Sequence, residues 1–322
     1  MGSLRAMSIT PIPLSALEPF GTGLKRPEDV VVSADGRVFV SHQHEVAEIL
    51  DDGSVRAFGD GLGECNGINM LRDGRIVTTN YLFEGGVRAV DPDSGKVELL
   101  ADVVDGRPLS FTNYPVIDEA GSVWVSCSTQ HEGWLQAMSR GADDGFIIRI
   151  DPDGTTAIVA EGIVFANGMA LDADESHLYC CQTAPGNVVR FPIRADRTLG
   201  PKEEYGPPMG ERGADEYTDE AGMAAFTNPE IQRRWALTDG CGFDAAGNLW
   251  VTVVTAARVN VITPEGELIT VIDDPDGTTM PLPTNVSWGG PDLTDLYIGS
   301  IGANHVLKTR SPVPGLPLTH QR

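Results

Sequence analysis

The amino-acid sequence predicts an all-β fold, a six-bladed β-propeller with four-stranded blades. Three observations support this prediction: one segment pattern recurs six times, further hairpin patterns follow the copies, and turn residues are frequent, with 37 Gly and 22 Pro in 322 residues. Short apolar segments separated by turn residues at intervals of roughly 8 to 12 positions are typical of closed β architectures. They do not suit a helical array.

The repeated segment begins with an Asn, Asp or Glu, which we call the anchor. A short apolar run follows, then a turn rich in Asp and Gly, and then a second apolar run with a bulky residue. The six copies begin at Glu28, Asn66, Asn113, Asn167, Asp239 and Asn285. Apart from two longer gaps, the intervals between anchors approach the roughly 40 to 50 residues of propeller blades. We therefore predict a single propeller domain over residues 1–322.

Further hairpins complete the blades. Strand-like segments with central turn residues lie at 46–58, 87–100, 146–159 and 259–272, and two hairpins make one four-stranded blade. After the last anchor only two further strands fit, so we expect the N-terminal stretch before Glu28 to supply the missing strand. Closure of the ring in this way pairs strand edges that would otherwise promote aggregation.

Two insertions interrupt the repeat, at residues 129–145 and 197–236, and the second contains a helix-like segment near 218–226. Long connections in a compact domain commonly carry function. We expect both insertions to form lids or pocket walls.

Composition limits the partners and the compartment. The formal net charge of −23 at pH 7 would repel the phosphate backbone of a nucleic acid or an anionic membrane surface. No stretch has the roughly 18 to 20 continuous apolar residues of a membrane span. The five cysteines lack the spacing of a disulfide framework or a metal site. We expect a cytoplasmic protein that acts on a small molecule, and the sequence leaves its oligomeric state open.

The anchors are the candidate functional residues, because the first strand of each propeller blade lines the central channel. All six anchors carry side-chain oxygens, and none is Lys or Arg. Asn-Gly and Asp-Gly are also common turn dipeptides, but Glu28-Asp29 and Asn113-Tyr114 are not favoured turn pairs. Two carboxylates at a narrow axis repel each other unless they are protonated or neutralised by a cation. Oxygen ligands of this kind suit Ca²⁺, Mg²⁺ or Mn²⁺. We predict one divalent ion, with Ca²⁺ favoured and Zn²⁺ a further alternative.

Five segments resemble the blade signatures of the gluconolactonase and regucalcin (senescence marker protein) family of lactonases, which is related in fold to diisopropylfluorophosphatase. In chain order they are Pro27-Glu28, IDEAGSVWV after Asn113, FANGMALDADESHLY around Asn167, LTDGCGFDAAGNLWV around Asp239, and PTNVSWGGPDLTDLY at the last blade. The resemblance extends from about residue 26 to residue 305. It implies that Glu28, Asn167 and Asp239 are metal ligands, and that Asn113 is a fourth ligand or a substrate contact.

The resemblance also implies that the protein hydrolyses a lactone or a related ester. The ion would polarise the ring carbonyl and stabilise the oxyanion, and Asp239 would orient or deprotonate the attacking water. The chain contains no Gly-x-Ser-x-Gly segment that would support a serine hydrolase. Three alternatives stay open: hydrolysis of organophosphates or phosphofluoridates at the same metal site, a propeller of the strictosidine-synthase type, and a non-catalytic binding platform with a structural metal.

The predicted pocket departs from the family at two positions. Members that act on sugar lactones usually carry Arg two residues before the third anchor and Asp directly after it, whereas this chain has Phe111 and Tyr114. A more apolar lactone or ester is therefore expected. The predicted substrate contacts are Asn66, Phe111, Tyr114, His131, Trp134 and Asn285.

Overall fold

The computed structural model describes residues 9–140, 142–211 and 219–322. Six antiparallel four-stranded sheets form a six-bladed propeller, as the sequence predicts. In each of blades one to five the strands pair in chain order, from the inner strand at the channel to the outer edge. The predicted second hairpins supply the third and fourth strands of blades one, two, three and five.

The first half of the chain contains the N-terminal strand and the first three blades. The N-terminal strand is β1 (Glu18–Phe20). Blade one consists of β2 (Val30–Val32), β3 (Val38–His42), β4 (Glu45–Ile49) and β5 (Val55–Phe58). Blade two consists of β6 (Cys65–Met70), β7 (Ile76–Asn80), β8 (Val87–Val90) and β9 (Val97–Ala101), and a small hairpin of β10 (Val103–Val104) and β11 (Arg107–Pro108) follows. Blade three consists of β12 (Thr112–Ile117), β13 (Val123–Cys127), β14 (Gly145–Ile150) and β15 (Thr156–Ile163).

The second half contains the remaining blades. Blade four consists of β16 (Ala166–Leu171), β17 (His177–Gln182), β18 (Asn187–Pro192) and β19 (Glu203–Tyr205). Blade five consists of β20 (Thr238–Phe243), β21 (Leu249–Val253), β22 (Arg258–Ile262) and β23 (Leu268–Asp273). Blade six contains β24 (Pro283–Gly289), β25 (Asp295–Ser300) and β26 (Val306–Arg310). The helices are α1 (Trp134–Arg140), α2 (Asp219–Thr227) and α3 (Pro229–Trp235), with 3-10 turns at Leu14–Ala16 and Thr319–Gln321.

The N-terminal strand closes the ring, as predicted. Strand β1 pairs antiparallel with β26, with Glu18 opposite Lys308 and Phe20 opposite Val306. The ring of Phe20 packs on Tyr297 of the same blade, at 5.7 Å between ring centroids. Blade six therefore has four strands, of which one comes from the opposite end of the chain.

In blades three and five an Asp lies six residues before a Trp, and hydrogen bonds between them explain this spacing. In blade three, Asp118 accepts a hydrogen bond from a backbone N–H four residues later and another, of 2.6 Å, from the indole of Trp124. In blade five, Asp244 makes the equivalent bonds, with 2.9 Å to the indole of Trp250. Both indoles are fully buried. In each blade one carboxylate thus fixes the turn and accepts the N–H of the tryptophan whose ring packs between blades.

The C-terminal segment, residues 311–322, crosses the end of the channel that lies opposite the anchors. The Thr319 hydroxyl donates to the carbonyl of Ile117 at 2.9 Å. The Gln321 amide donates to the carbonyls of Val32 and Trp288 at 2.9 and 3.2 Å. The segment therefore joins the ends of inner strands from blades one, three and six, a contact that the repeat pattern does not predict.

The two insertions contain the helices. Helix α1 lies between β13 and β14, while α2 and α3 lie between β19 and β20. Helix α2 confirms the predicted helical segment, and strand β19 lies inside the stretch that the sequence assigns to the second insertion. Residues 141 and 212–218 of these insertions lie outside the described residues. None of the helices that the structure describes is long and apolar enough to cross a membrane.

Candidate functional site

Five of the six anchors meet at one end of the channel. They line a cavity of about 480 Å³, and they are Glu28, Asn66, Asn113, Asn167 and Asp239. Glu28 precedes the first inner strand by two residues, while each of the other four is the second residue of its inner strand. The convergence follows from the fold, because equivalent positions of the inner strands lie around the same axis.

The anchors of blades two to six lie in β-bulges, at register shifts between the first and second strands. A bulge leaves a residue unpaired and redirects its side chain. Three anchors are followed by a Gly that packs closely against the neighbouring inner strand. A Cβ atom at Gly67 would lie 2.7 Å from a backbone oxygen of that strand, and a Cβ atom at Gly168 or Gly240 would lie closer still to its neighbouring strand. The Asn-Gly and Asp-Gly pairs therefore belong to bulges at the axis and do not form hairpin turns.

Hydrogen bonds fix the orientation of the anchor amides. Asn113 donates from Nδ2 to the hydroxyl of Ser128 at 3.0 Å. Asn167 donates from Nδ2 to the hydroxyl of Thr183 at 2.9 Å. Asn66 donates to the side-chain oxygen of Asn113 at 3.1 Å. Each amide nitrogen thus has a protein partner, which determines the side of the group that carries the oxygen.

The two carboxylates of the site are buried and close enough to interact. Glu28 and Asp239 are 6% and 8% exposed. Burial raises the pKa of Glu28, and the neighbouring Arg26 opposes this shift. Burial, and then the charge of Glu28, raise the pKa of Asp239 well above its ordinary value. The positive charge beside the two carboxylates thus does not offset the effect of their burial.

Arg26 is a site residue that the sequence analysis missed. Its guanidinium forms ion pairs with Glu28 and Glu64, each at 3.1 Å. It also donates to the side-chain oxygen of Asn66 at 2.9 Å and lies 5.6 Å from the ring centroid of Tyr81. Its pKa is raised, because the ion pairs outweigh burial, which alone would lower it. Arg26 is therefore a counter-ion for Glu28 on the cavity wall.

The position two residues before the anchor lines the cavity in four blades. Its residues are Arg26, Glu64, Phe111 and Phe165. Three of them have a left-handed backbone, with φ of 49° at Arg26, 44° at Phe111 and 52° at Phe165. Such a conformation costs a non-glycine residue about 1–3 kcal/mol and is concentrated at functional sites. Of these four residues, Phe111 alone is a predicted substrate contact, although the same register identifies the other three.

Apolar side chains form the upper wall of the cavity. Helix α1 contributes Trp134 and Met138, and α2 contributes Phe226. The Trp134 and Phe226 rings meet edge to face at 6.1 Å. Elsewhere in the lining, the ring centroids of Phe83 and Phe111 are 6.1 Å apart. Parts of both insertions therefore do form cavity walls.

Of the six predicted substrate contacts, Asn66, Phe111 and Trp134 line this cavity and the other three do not. Tyr114 lines a smaller cavity of about 70 Å³, which the C-terminal segment also lines. Asn285 donates to the hydroxyl of Tyr114 at 2.8 Å. His131 is exposed, and its Nε2 lies 3.9 Å from the carboxylate of Asp144.

Residues 49–302 match the model of the family described as the SMP-30/gluconolactonase/LRE-like region. The chain belongs to this family. A 6-deoxy-6-sulfogluconolactonase from Pseudomonas putida is 25% identical over 246 residues, which are 72% of this chain and 73% of that protein. A pentonolactonase from Haloferax volcanii is 28% identical over 239 residues, or 74% of this chain and 67% of that protein.

Two further similarities extend beyond proteins named lactonases. The strictosidine synthase-like protein 13 of Arabidopsis thaliana is 24% identical over 256 residues, which are 71% of this chain and 57% of that protein. The solved structure of regucalcin from Agrobacterium tumefaciens, described as a calcium-binding protein, is 17% identical, with a TM-score of 0.68. It covers 95% of this chain and 97% of its own. This likeness shows the shared fold.

The donor set of this family member fits a hard divalent cation. Among the described residues, no three or more His, Cys, Asp or Glu side chains form a metal-binding group. The candidate set instead combines the carboxylates of Glu28 and Asp239 with amide oxygens, which are ligands that Ca²⁺ and Mg²⁺ accept. The buried Oε2 of Glu28 has no hydrogen-bond partner among the described residues and lies 3.1 Å from the guanidinium of Arg26. Two buried carboxylates beside one guanidinium leave a negative charge that a bound cation would neutralise.

Proposed function

We propose that the protein is a divalent-metal-dependent hydrolase that opens a lactone or a related ester. The observation that carries the proposal is the convergence of two buried carboxylates, Glu28 and Asp239, with the amides of Asn113 and Asn167 in one cavity. A binding platform does not need buried carboxylates at its axis, and their cost is offset if they hold a cation. Membership of a family with relatives named lactonases supports the choice of a lactone.

Glu28, Asn113, Asn167 and Asp239 are the residues that would hold the ion. Their oxygen ligands favour Ca²⁺, and Mg²⁺, Mn²⁺ and Zn²⁺ are alternatives to be tested. The calcium-binding description of the regucalcin neighbour is consistent with this order. When bound, such an ion supplies a Lewis acid that polarises the substrate carbonyl and a charge that balances the developing oxyanion.

Asp239 has the position and environment of a general base. Its carboxylate is buried beside Glu28 and lines the cavity, so it can contact a water molecule held there. We assign to it the orientation of the attacking water and the acceptance of its proton. The hydroxyls of Ser128 and Thr183 hold the anchor amides in place. The apolar wall at Phe111 excludes bulk water from the reacting carbonyl.

Two substitutions and a chelator test the proposal. Asp239→Ala and Glu28→Gln should each lower kcat/KM by about 100-fold or more, with an unchanged far-ultraviolet circular dichroism spectrum. Removal of divalent ions should abolish activity, and addition of one of the four ions should restore it. The exposed turn carboxylate Asp153, changed to Asn, is the matched control and should retain full activity. Full activity after exhaustive chelation, or in the Asp239→Ala protein, contradicts the mechanism.

The substrate screen should combine lactones of different polarity with a phosphotriester and a phosphofluoridate. Preferential cleavage of a phosphorus ester would replace the lactone by the organophosphate alternative at the same site. Absence of turnover with every substrate and ion would support a binding platform.

A further inference from the structure

The charge of the candidate cavity is strongly negative. Besides the two carboxylates at the anchors, Glu64, Glu84 and Glu132 contribute to the lining. Among the described lining residues Arg26 is the one cationic side chain, and its guanidinium is already paired with Glu28 and Glu64 at 3.1 Å each. An anionic substituent in the cavity would meet carboxylates and no free cation. Even with a divalent ion at the anchors, these charges would outnumber the positive ones.

Part of the cavity lining is apolar and partly exposed. Leu82, Phe83 and Trp134 are 38%, 44% and 37% exposed, and all three line the cavity. They are three of the eight large apolar side chains that are exposed among the described residues. Exposed apolar groups that gather at a cavity mouth commonly mark a site for an apolar ligand.

The cavity has room for an apolar group beside the reacting ring. Its volume of about 480 Å³ lies within the range of roughly 300 to 1,000 Å³ for small-molecule sites. The edge-to-face contact of Trp134 with Phe226 leaves ring surface available on the α1 side. Phe83 and Phe111 present a second apolar surface. A small hydrophilic lactone would leave both surfaces in contact with water.

We propose that the substrate is an uncharged lactone or ester with an alkyl or aryl arm, and that anionic lactones are excluded. This inference rests on the proposed hydrolase function and names the substrate class of that site. The arm packs against Trp134, Phe226 and Phe111, while the carbonyl faces Glu28 and Asp239. Burial of the arm supplies the binding free energy, and Glu64, Glu84 and Glu132 supply the charge selection.

Four substrates test the substrate class on protein loaded with Ca²⁺: butyrolactone, the same ring with a hexyl arm, the same ring with a carboxylate, and gluconolactone. The hexyl compound should have a kcat/KM at least about tenfold above that of butyrolactone, and the carboxylated ring should be the poorest substrate. Gluconolactone or the carboxylated ring as the best substrate would overturn the proposal.

Three variants locate the two determinants. Trp134→Ala should lower kcat/KM for the hexyl compound about tenfold more than for butyrolactone. The matched control is Leu99→Ala, because Leu99 is an exposed apolar side chain on β9 that does not line the cavity. The double variant Glu84→Lys and Glu132→Lys should raise kcat/KM for the carboxylated ring about tenfold, and the gain should shrink as salt increases. Unchanged selectivity in these cavity variants counts against the assignment.

A binding measurement separates this inference from the proposed function. Lactams with a hexyl arm or a carboxylate resist hydrolysis, and their affinities can be measured by calorimetry. Absence of lactone hydrolysis with every ion would remove the hydrolase function, while tighter binding of the hexyl lactam would still support the apolar site. Equal affinity for the two lactams, or an unchanged preference in Trp134→Ala, would remove the substrate class alone.

Discussion

Replacement of Asp244 by Ala should destabilise the fold by about 3–5 kcal/mol. The Asp244 side chain is 1% exposed. One of its oxygens accepts the backbone N–H groups of Ala246 and Asn248 at 2.9 and 3.0 Å. The other accepts the indole N–H of Trp250 at 2.9 Å and the side-chain amide of Asn248 at 2.8 Å. The substitution removes all of these bonds at once.

The magnitude follows from what is left without a partner. Trp250 is fully buried, so its indole N–H cannot turn to water, and an unsatisfied buried donor costs about 1–3 kcal/mol. Each of the two lost turn bonds adds about 1 kcal/mol. In contrast, the turn carboxylate of Asp153 is exposed and accepts one backbone bond, from Thr155 at 2.9 Å. Asp153→Ala should therefore cost less than about 1 kcal/mol.

Urea unfolding followed by far-ultraviolet circular dichroism measures both effects without relying on tryptophan emission. A double-mutant cycle with Trp250→Phe, which removes the indole N–H and keeps an aromatic ring, isolates the shared bond. We expect a coupling free energy of about 1–2 kcal/mol between the two positions. A loss below 1 kcal/mol in Asp244→Ala, or no coupling to Trp250, would refute the reasoning.

Two further predictions concern Arg26 and His320. Arg26→Met should raise the Ca²⁺ affinity measured by calorimetry at least about tenfold, since the guanidinium competes with the ion for Glu28. Arg26→Lys keeps the positive charge and serves as the control. An unchanged Ca²⁺ affinity in Arg26→Met would contradict this competition. Burial lowers the pKa of His320, whose Nε2 lies 2.9 Å from the carbonyl of Val32. The folded state therefore binds fewer protons than the unfolded state below the unfolded pKa of about 6.5, so stability should rise with pH up to that value and level off above it. His320→Asn should flatten this slope between about pH 5 and 7, and an equal slope in the variant would exclude His320 as its source.

The fold could be predicted from the sequence because its signals are local and repeated. Each blade begins with an anchor and contains turn residues at fixed distances. Because the last blade lacks one strand in the sequence after its anchor, the N-terminal stretch was expected to supply it, and β1 does so. The C-terminal segment could not be predicted in this way. It joins the blades through single side chains, such as Thr319 and Gln321, that donate to backbone carbonyls, and such contacts leave no periodic pattern.

Five of the six predicted anchors line one cavity, but the rest of that cavity was predicted less completely from the sequence. Asn113 and Tyr114 are adjacent, yet they line different cavities, because they lie in the bulge of β12 and their side chains leave the strand in different directions. Arg26 and Glu64 occupy the position equivalent to Phe111 in their blades. The repeat pattern identifies the anchors and does not extend to the residues two positions before them. The ion pair between Arg26 and Glu64 also depends on a contact between blades one and two, which the sequence does not show.

The buried carboxylates at the anchor end of the channel argue for a ligand there. The anchor end contains two buried carboxylates and three non-glycine residues with left-handed backbones, all of which lower stability. At Arg26 a glycine would adopt the same φ without strain, so the strain is explained only if the guanidinium itself is needed there. At the opposite end, side chains of the C-terminal segment donate to backbone carbonyls of the inner strands. A propeller under selection for stability alone would have neutral residues at both ends, whereas a cation site requires the charges where they lie.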